Sequence, residues 1–228
     1  MKSNMRGLRL WLIAVLVTFS LGVMVSIMLR RPAPIPGPTN QEVRLIIPHA
    51  SWEPIFFRSI NSVSNLTTQT ELRRVSLRDG EHEARVWWGF GLAPLEGISL
   101  RYSVGEWTAI HVKGDNYYEP TKATREELKP PKSGWTATWK RLVDVGILSL
   151  PDASEVNCGE GGLDGIGVVV ETNADRTYRT FMYPNPMLEK CSQATQIEKM
   201  LEILDQEFQW TRTDTAPPPN TRLERTRR

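Results

Sequence analysis

The chain has 228 residues, of which 40% are hydrophobic and 24% charged, an ordinary globular composition with room for one domain. Its net charge of +2 is unevenly distributed. Ten basic and two acidic residues lie before residue 32 or after residue 210, which leaves 18 basic and 24 acidic residues between them. A body with this acidic excess would repel a phosphate backbone, so nucleic-acid binding is disfavoured.

Residues 10–29 read LWLIAVLVTFSLGVMVSIML and contain no charge. A helix of this length spans ~30 Å, the thickness of a bilayer's hydrocarbon core. A buried core helix and a cleaved signal peptide are the alternatives. The run is longer than a signal peptide's apolar region, and Arg30 and Arg31 follow it where a small-residue cleavage site would stand. We therefore predict that residues 1–31 form a signal-anchor transmembrane segment.

Basic residues flank this segment unequally, with three side chains before it and two after it. The positive-inside rule then keeps the N-terminus in the cytoplasm and makes the rest extracytoplasmic. Residues 32–42 follow as a Pro-rich spacer, because alternate prolines hold the chain extended. A PxxP ligand is the alternative for this stretch. The domain spans residues 43–210, and residues 211–228 are predicted to be a disordered tail, since they carry few apolar side chains.

The first part of the domain is predicted to be β-rich. Apolar runs of strand length, separated by turn residues, are Val43–Ile47, Ile55–Val63, Leu72–Leu77, Ala84–Phe90, Ile98–Val104 and Trp107–Val112. A short turn at Val104-Gly105 would place Tyr102 opposite Trp107 and Leu100 opposite Ala109. These runs predict an antiparallel β-meander.

The second part alternates helices with a hairpin. Residues 114–134 read as a polar loop with a turn of helix near Glu126, after which Ser133 caps a helix that ends near Gly146. The buried stripe of this helix is predicted to be Trp135, Trp139, Leu142 and Val143. A β-hairpin then joins Ile166–Glu171 to Tyr178–Tyr183 through the turn formers of residues 173–176.

The last predicted element is an amphipathic helix with a capping box at Thr195 and Glu198. Its apolar stripe consists of Ile197, Met200, Leu201, Leu204 and Phe208. The predicted fold class is therefore α+β. An N-terminal transmembrane helix is followed by one domain with an antiparallel β-meander, a helix, a β-hairpin and a C-terminal amphipathic helix.

Known catalytic and metal-binding patterns are not matched. The segment 82–86 begins like a zinc-protease HExxH motif, but Val86 stands where the second histidine is required. No serine stands in a GxSxG context. The Gly-rich loop 159–167 leads into a strand instead of a helix N-terminus, so a connecting loop is favoured over a phosphate cradle. We expect no catalytic residue, no metal and no cofactor.

The sequence offers two weaker candidate metal sites. A three-histidine site would need His49, His82 and His111 from unrelated elements. A calcium site could use the acidic side chains around the Gly-rich loop, but their spacing matches no known ligand pattern. These acidic residues are Asp152, Glu155, Glu160 and Asp164.

Aromatic residues supply a candidate ligand surface at Trp87, Trp88, Tyr102 and Trp107. Trp87 and Trp88 are neighbours on a strand and point to opposite faces of the sheet. Helices on both faces would bury both side chains. If one face were bare, an exposed tryptophan would offer a platform for a sugar ring or a protein partner.

Residues 135–210 contain short motifs that resemble those of hypothetical exported or membrane-anchored bacterial proteins. The motif residues are Trp139, Leu142, Leu150-Pro151-Asp152, Asp164-Gly165, Val168–Glu171, Tyr178-Arg179 and Tyr183–Pro186. The resemblance implies a bacterial extracytoplasmic domain and implies no activity.

The two cysteines are predicted to form a disulfide, because an exported domain folds in an oxidising compartment. Cys158 and Cys191 are centred on position 174.5, within the predicted hairpin turn. Antiparallel partners with that centre have numbers that sum to 349, which pairs Glu171 with Tyr178. The alternative is two free thiols.

The sequence thus favours a non-enzymatic, membrane-anchored extracytoplasmic domain with a binding or structural role in the cell envelope. Its expected partners are the membrane, through residues 10–29, and an envelope protein or glycan. Two alternatives remain. One is a glycan-binding module that uses exposed aromatic residues, and the other is an envelope enzyme whose site is assembled from scattered carboxylates.

Overall fold

A computed structural model of the chain describes residues 43–48, 53–90, 93–116, 118–156, 158 and 166–210. Within these residues the chain forms seven strands and three helices. In chain order they are β1 (Arg44–Ile46), α1 (Glu53–Leu66), β2 (His82–Phe90), β3 (Glu96–Ser103), β4 (Glu106–Gly114), β5 (Ala123–Glu127), α2 (Trp135–Asp144), β6 (Gly167–Ala174), β7 (Thr177–Pro184) and α3 (Ser192–Phe208).

The seven strands form one sheet in the order β1-β7-β6-β2-β3-β4-β5. Five of its six neighbouring pairs are antiparallel, as predicted, but β1 pairs with β7 in parallel. The α+β class is confirmed, and the sheet is mixed instead of purely antiparallel. The parallel pair joins residues more than 130 positions apart, so no local turn could reveal its direction.

The central hairpin of the meander forms with the predicted register. Tyr102 pairs with Trp107, and Leu100 pairs with Ala109. The two residues of the β3–β4 turn both have positive φ angles, 54° at Val104 and 83° at the following glycine. This is the backbone geometry that matches the twist of a tight hairpin.

Two predicted strands before the meander are wrong. Ile55–Val63 lies within α1, where Phe56, Ile60 and Val63 recur at helical spacing and are buried against the sheet. The apolar run has the length of a strand. Its buried residues, however, are four and three positions apart, which is the spacing of one face of a helix. Leu72–Leu77 is also not a strand, because only one turn of 3₁₀ helix forms at its start.

The predicted helical turn near Glu126 is a strand instead, β5, at the edge of the sheet. Four of its five residues are exposed. Edge strands are commonly polar or charged, which protects their free hydrogen-bonding groups from pairing with other chains. A search for apolar runs misses such a strand.

Helix α2 forms as predicted, but Ser133 does not cap it. Gly134 occupies the N-cap without a side-chain hydrogen bond, while the Ser133 backbone N–H donates to Glu207 Oε2 at 2.8 Å. The predicted stripe is correct at Leu142, which is fully buried, and wrong at Val143, which is 38% exposed.

Helix α3 carries the predicted apolar stripe against the sheet. It begins three residues earlier than the predicted capping box at Thr195 and Glu198. Its N-cap is Cys191, whose Sγ accepts a hydrogen bond from the Ala194 backbone N–H. A cysteine at this position gives no sequence signal for a helix start, because the usual N-cap residues are Ser, Thr, Asp and Asn.

The disulfide between Cys158 and Cys191 is confirmed, with a Cα–Cα distance of 4.9 Å. The predicted register of the hairpin is wrong by two positions, because Glu171 pairs with Thr180 instead of Tyr178. The turn is formed by residues 175 and 176, which both have positive φ angles. The disulfide therefore forms although the hairpin is not centred between its cysteines.

Buried side chains form two hydrophobic clusters, one on each face of the sheet. Helices α2 and α3 contribute to the larger cluster, and α1 contributes to the smaller one. No helix among the described residues is long and apolar enough to cross a bilayer. The predicted transmembrane segment 10–29, the spacer 32–42 and the tail 211–228 lie outside the described residues.

Candidate functional site

Two of the four aromatic residues predicted as a ligand surface are buried. Trp87 and Trp88 point to opposite faces of the sheet, as expected, and are only 1% and 3% exposed. Helices lie on both faces of the sheet, and they bury both tryptophans, as expected for a sheet covered on its two faces. The exposed-surface interpretation of these two tryptophans is therefore wrong.

Tyr102 and Trp107 remain half-buried and belong to an aromatic cluster. Their ring centroids lie 5.2 Å apart, and the His82 ring stacks between Tyr102 and Trp139 at 5.3 and 4.5 Å. Trp107 is also stacked on Trp135, with ring planes 4° apart and centroids 5.6 Å apart. The predicted aromatic pair thus exists, but helix α2 covers most of it.

A cavity of about 770 Å³ is lined largely by the face of the sheet that carries Glu83, Arg85 and Trp87, which we call the cavity face. Its lining also includes Trp107 and Trp135, which belong to the opposite face. The opposite face, with Ala84, Val86 and Trp88, is called the core face. The cavity is lined by Thr68, Gln69, Thr70, Val75, Glu83, Arg85, Ser99, Arg101, Trp107, Thr108, Ala109, Ile110, Arg125, Glu127, Leu128, Pro130 and Trp135. Small-ligand sites commonly have volumes in this range.

The floor of the cavity is made of charged and polar side chains from β2 and β3. Arg85 Nε donates to Glu83 Oε1 at 2.7 Å, and Ser99 Oγ donates to the same oxygen at 3.0 Å. Both charged side chains are only 3% exposed. The alternation of strand residues places them on one face, with Ser99 directly opposite Arg85 on the neighbouring strand.

Arg85 also forms a hydrogen bond with a residue that is not on the strands of the floor. Its Nη2 donates to the Thr70 carbonyl at 3.0 Å, which ties the segment after α1 to the sheet. The carboxylate of Glu171 lies beside Arg85 on the neighbouring strand β6. It accepts hydrogen bonds from Trp87 Nε1 and Tyr178 Oη, both at 2.8 Å. Burial raises the pKa of the Glu171 carboxyl, and the positive charge of Arg85 opposes that rise.

Several polar atoms around the cavity have no hydrogen-bond partner among the described residues. They are Arg85 Nη1, Glu83 Oε2 and both amide atoms of Gln69. Glu83 Oε2 retains a longer ionic contact of 3.6 Å with Arg101 Nη1. These atoms have almost no accessible surface, so the cost of about 1–3 kcal/mol for each unpaired group is a cost to the fold.

The rim of the cavity combines charged and aromatic side chains. Arg101 is partly exposed, and Arg125 and Glu127 on β5 are exposed. Trp107 and Trp135 contribute the edge nearest the aromatic cluster. Polar floor groups beside stacked indole rings can orient a ligand by hydrogen bonds while its apolar parts contact the rings.

Sequence motifs do not reveal this site. The segment that contains Glu83 and Arg85 resembles only an incomplete HExxH motif. Its signal is an alternation in which opposite charges two residues apart share one face of a strand, while Ala84 and Val86 share the other. Such a pair inside an apolar strand indicates buried charges, which are retained only with partners.

The other candidate metal sites are accounted for by structure. Cys158, Cys191 and Glu189 are the only group of potential ligands that converge among the described residues, and the two sulfurs are bonded to each other. Asp152 accepts hydrogen bonds from the backbone N–H groups of Ser154 and Met182. Residues 159–165 of the Gly-rich loop, with the proposed calcium ligands Glu160 and Asp164, lie outside the described residues, as does His49.

In chemical terms the cavity offers the accessible charged side chains of Arg101, Arg125 and Glu127 over a buried ion pair. No protein-family model, no curated protein and no solved structure matches this chain.

Proposed function

We propose that this protein is a membrane-anchored extracytoplasmic domain with a binding role, and that its ligand occupies the cavity on the cavity face. One observation carries the proposal. A cavity of ligand-binding size is lined by the buried Glu83–Arg85 ion pair and by the more accessible Arg101. A polar ligand in the cavity would bind the accessible side chains, while the ion pair holds the floor in place.

The packing around the floor supports a preformed site. Arg85 is fixed by Glu83 on one side and by the Thr70 carbonyl on the other. Ser99 fixes the Glu83 carboxylate from the next strand. Because the groups are held on rigid strands before any ligand arrives, little conformational entropy is lost on binding.

The cavity favours binding over hydrolysis. Its two carboxylates, Glu83 and Glu127, lie on strands β2 and β5, three strand spacings apart. That places their backbones ~14 Å apart across the sheet. The Glu83 carboxylate is also already held by Arg85 and Ser99, which is the arrangement of a structural ion pair and not of a paired catalytic acid and base.

Membrane anchoring and export remain part of the proposal. They are supported by the uncharged segment 10–29 and by the disulfide between Cys158 and Cys191, a bond typical of oxidising compartments.

Protease treatment of intact cells or spheroplasts tests this topology. The domain should be digested from outside, whereas a tag at the N-terminus should stay protected. A domain that resists digestion while a control exported protein is cleaved would contradict the proposed orientation.

A cavity-filling variant tests the binding role. Thr108 is exposed and lines the cavity, so Thr108→Trp should block the cavity without removing a floor contact. Thr124 is exposed on β5 and does not line the cavity, so Thr124→Trp is the matched control. The full chain in phospholipid nanodiscs is mixed with fractions of a cell-envelope extract, and its melting temperature is measured.

At least one fraction should raise the melting temperature of the wild type and of Thr124→Trp, but not of Thr108→Trp. A stabilising fraction that acts equally on both variants would place the ligand elsewhere. Failure of every fraction to stabilise the wild type would also contradict a ligand site in the cavity.

A further inference from the structure

The last described residue, Trp210, is held on the core face of the sheet by two contacts. Its indole Nε1–H donates to His111 Nε2 on β4 at 3.1 Å. Its ring contacts the ring of Trp88 on β2, with centroids 3.6 Å apart, and Trp210 is only 7% exposed. The chain that follows α3 is therefore attached to the sheet by one hydrogen bond to an imidazole and by the packing of two indole rings.

The hydrogen bond requires one protonation state of His111. An indole N–H can only donate, so His111 Nε2 must offer its lone pair, and the neutral imidazole holds its proton on Nδ1. A second proton on Nε2 turns this nitrogen into a donor, and two donors cannot bond to each other. Imidazole side chains commonly gain this second proton between about pH 8 and pH 5.

Glu96 of β3 supplies an alternative partner for the same nitrogen. Its Oε2 lies 3.5 Å from His111 Nε2, and its Oε1 lies 2.6 Å from Lys113 Nζ. The Glu96 side chain is only 2% exposed. A protonated Nε2–H can donate to this carboxylate, and such charge-assisted hydrogen bonds are stronger than neutral ones. A proton thus exchanges Trp210 for Glu96 as the partner of His111.

The other carboxylates of the neighbouring elements are less suited to this exchange. Glu126 of β5 lies opposite His111 on the same face of the sheet, but it is exposed, so water and salt screen its charge. Glu207, near the end of α3, accepts a hydrogen bond from Ser133 and pairs with Arg141. Glu96 is therefore the carboxylate that competes with Trp210 for His111 Nε2.

From one nitrogen with two mutually exclusive partners, we infer that His111 is a pH-dependent switch that attaches and releases the C-terminal end of the domain. At pH 8 the neutral imidazole accepts the indole N–H, and Trp210 covers Trp88. At pH 5 the protonated imidazole binds Glu96, so Trp210 loses its acceptor and leaves, which exposes Trp88. This switch lies on the core face and does not depend on a ligand in the cavity.

The backbone between α3 and Trp210 favours the release. Gln209, the C-cap of α3, has a φ angle of 53°, in the left-handed region. Residues other than glycine adopt this conformation at a cost, which neighbouring contacts must offset. Once Trp210 is no longer held, Gln209 can relax.

Fluorine NMR of the full chain in nanodiscs, labelled with 5-fluorotryptophan, tests the switch. The difference between the chemical shifts in H₂O and D₂O reports the exposure of each indole ring to solvent. Tryptophan-to-phenylalanine variants assign the signals. From pH 8 to pH 5 this difference should rise for Trp210 from near zero to that of an exposed indole, and the difference for Trp88 should rise with it. Trp87, buried on the opposite face, should stay covered.

Two substitutions of His111 separate its protonation from other effects of acid. His111→Gln keeps an acceptor that does not titrate, so Trp210 should stay covered from pH 8 to pH 5. His111→Lys supplies a cation with donors only, so Trp210 should be exposed already at pH 8. The signal of Trp87 shows at each pH that the variants are folded.

Four results would overturn the inference. Trp210 could stay covered at pH 5 in the wild type, or at pH 8 in His111→Lys. It could also be released in His111→Gln with the pH dependence of the wild type, since another group would then be responsible. Exposure of Trp87 together with Trp210 would show that acid unfolds the whole domain instead of releasing its C-terminal end.

Discussion

The two faces of the sheet use the same strands for different purposes. On the core face, Ala84, Val86 and Trp88 join a continuous apolar cluster beneath α2 and α3. On the cavity face, Trp87 lies in the apolar cluster with α1, but Glu83 and Arg85 stand beside an open cavity. Because side chains alternate along β2, one face of the strand packs into the core and part of the other face lines the cavity.

The difference lies in what covers each face. The core face is covered along its length by two helices and closed at one end by the disulfide, whose two cysteines contact the same cluster. The cavity face is covered by one helix and then by the segment that carries Gln69 and Thr70. The charged side chains of Glu83 and Arg85 are retained on this face because they are paired with each other.

The largest expected effect of a single substitution is on the cavity face. Arg85→Met keeps the side chain's length but removes the cation beside the buried Glu171 carboxylate and leaves Glu83 with only its longer contact to Arg101. We expect a loss of about 3–5 kcal/mol in the free energy of unfolding at pH 7, measured by urea denaturation. Arg101→Met is the control and should cost at most about 1 kcal/mol, because Arg101 is partly exposed.

The cost of Arg85→Met should also depend on pH. Arg85 lowers the pKa of Glu171 against the effect of burial, so without it the folded-state pKa rises further above the unfolded value. The folded variant then holds a proton that the unfolded chain releases, and its stability falls as the pH rises through this window. The loss should therefore shrink as the pH falls toward 4.5. A loss that is independent of pH would show that Glu171 does not depend on Arg85.

On the core face, Leu204→Ala should lose about 2–5 kcal/mol, because Leu204 is completely buried under α3 and its truncation leaves a cavity. Glu202→Ala, on the exposed side of the same helix, should change stability by less than about 0.5 kcal/mol. The melting temperatures of the two variants check this difference. Equal shifts would mean that α3 does not carry the apolar stripe assigned to it.

Removal of the disulfide should destabilise the domain by about 3–4 kcal/mol, since the bond closes a loop between residues 33 positions apart. Serine is a suitable replacement, because it preserves N-cap capacity at position 191. The double variant Cys158→Ser/Cys191→Ser and the reduced wild type should unfold at the same lower urea concentration. If reductant lowers the midpoint of the double variant as well, the loss does not come from this bond.

The smallest expected effect concerns His82, at the exposed end of the core face. Burial lowers its pKa, while a hydrogen bond with the Gly80 backbone and the charge of Asp175 oppose this change. The unfolded chain then binds the proton more readily than the folded chain, so stability decreases as the pH falls below about 6.5. His82→Gln should show a smaller decrease between pH 7 and pH 5 than the wild type. Parallel stability curves would contradict this effect.

The sequence predicted those parts of the fold that depend on local spacing. The register of Tyr102 with Trp107 followed from a two-residue turn, and the stripe of α3 followed from its 3.6-residue period. The strand β5 and the parallel strand β1 were not predictable in this way. One is a polar edge strand, and the other is positioned by a partner more than 130 residues away.

The candidate site was harder to predict for a related reason. Glu83 and Arg85 are visible in the sequence as an alternating charged pair, but their meaning depends on which face of β2 is left uncovered. Gln69 reaches the cavity because the segment after α1 crosses the sheet there, and no local pattern reports that crossing. Trp87 and Trp88 were correctly assigned to opposite faces, but only the positions of the helices decide that both are buried.

The indole N–H signals of the tryptophans test the central claim most directly, because two tryptophans line the cavity and two others lie in the core-face cluster away from it. The full chain, labelled with ¹⁵N at tryptophan, is recorded by NMR before and after addition of the cell-envelope extract. A ligand in the cavity should shift the signals of Trp107 and Trp135, which line it, and leave Trp88 and Trp210 in the core-face cluster unchanged. Unchanged signals at Trp107 and Trp135, or shifts confined to Trp88 and Trp210, would contradict a ligand site on the cavity face.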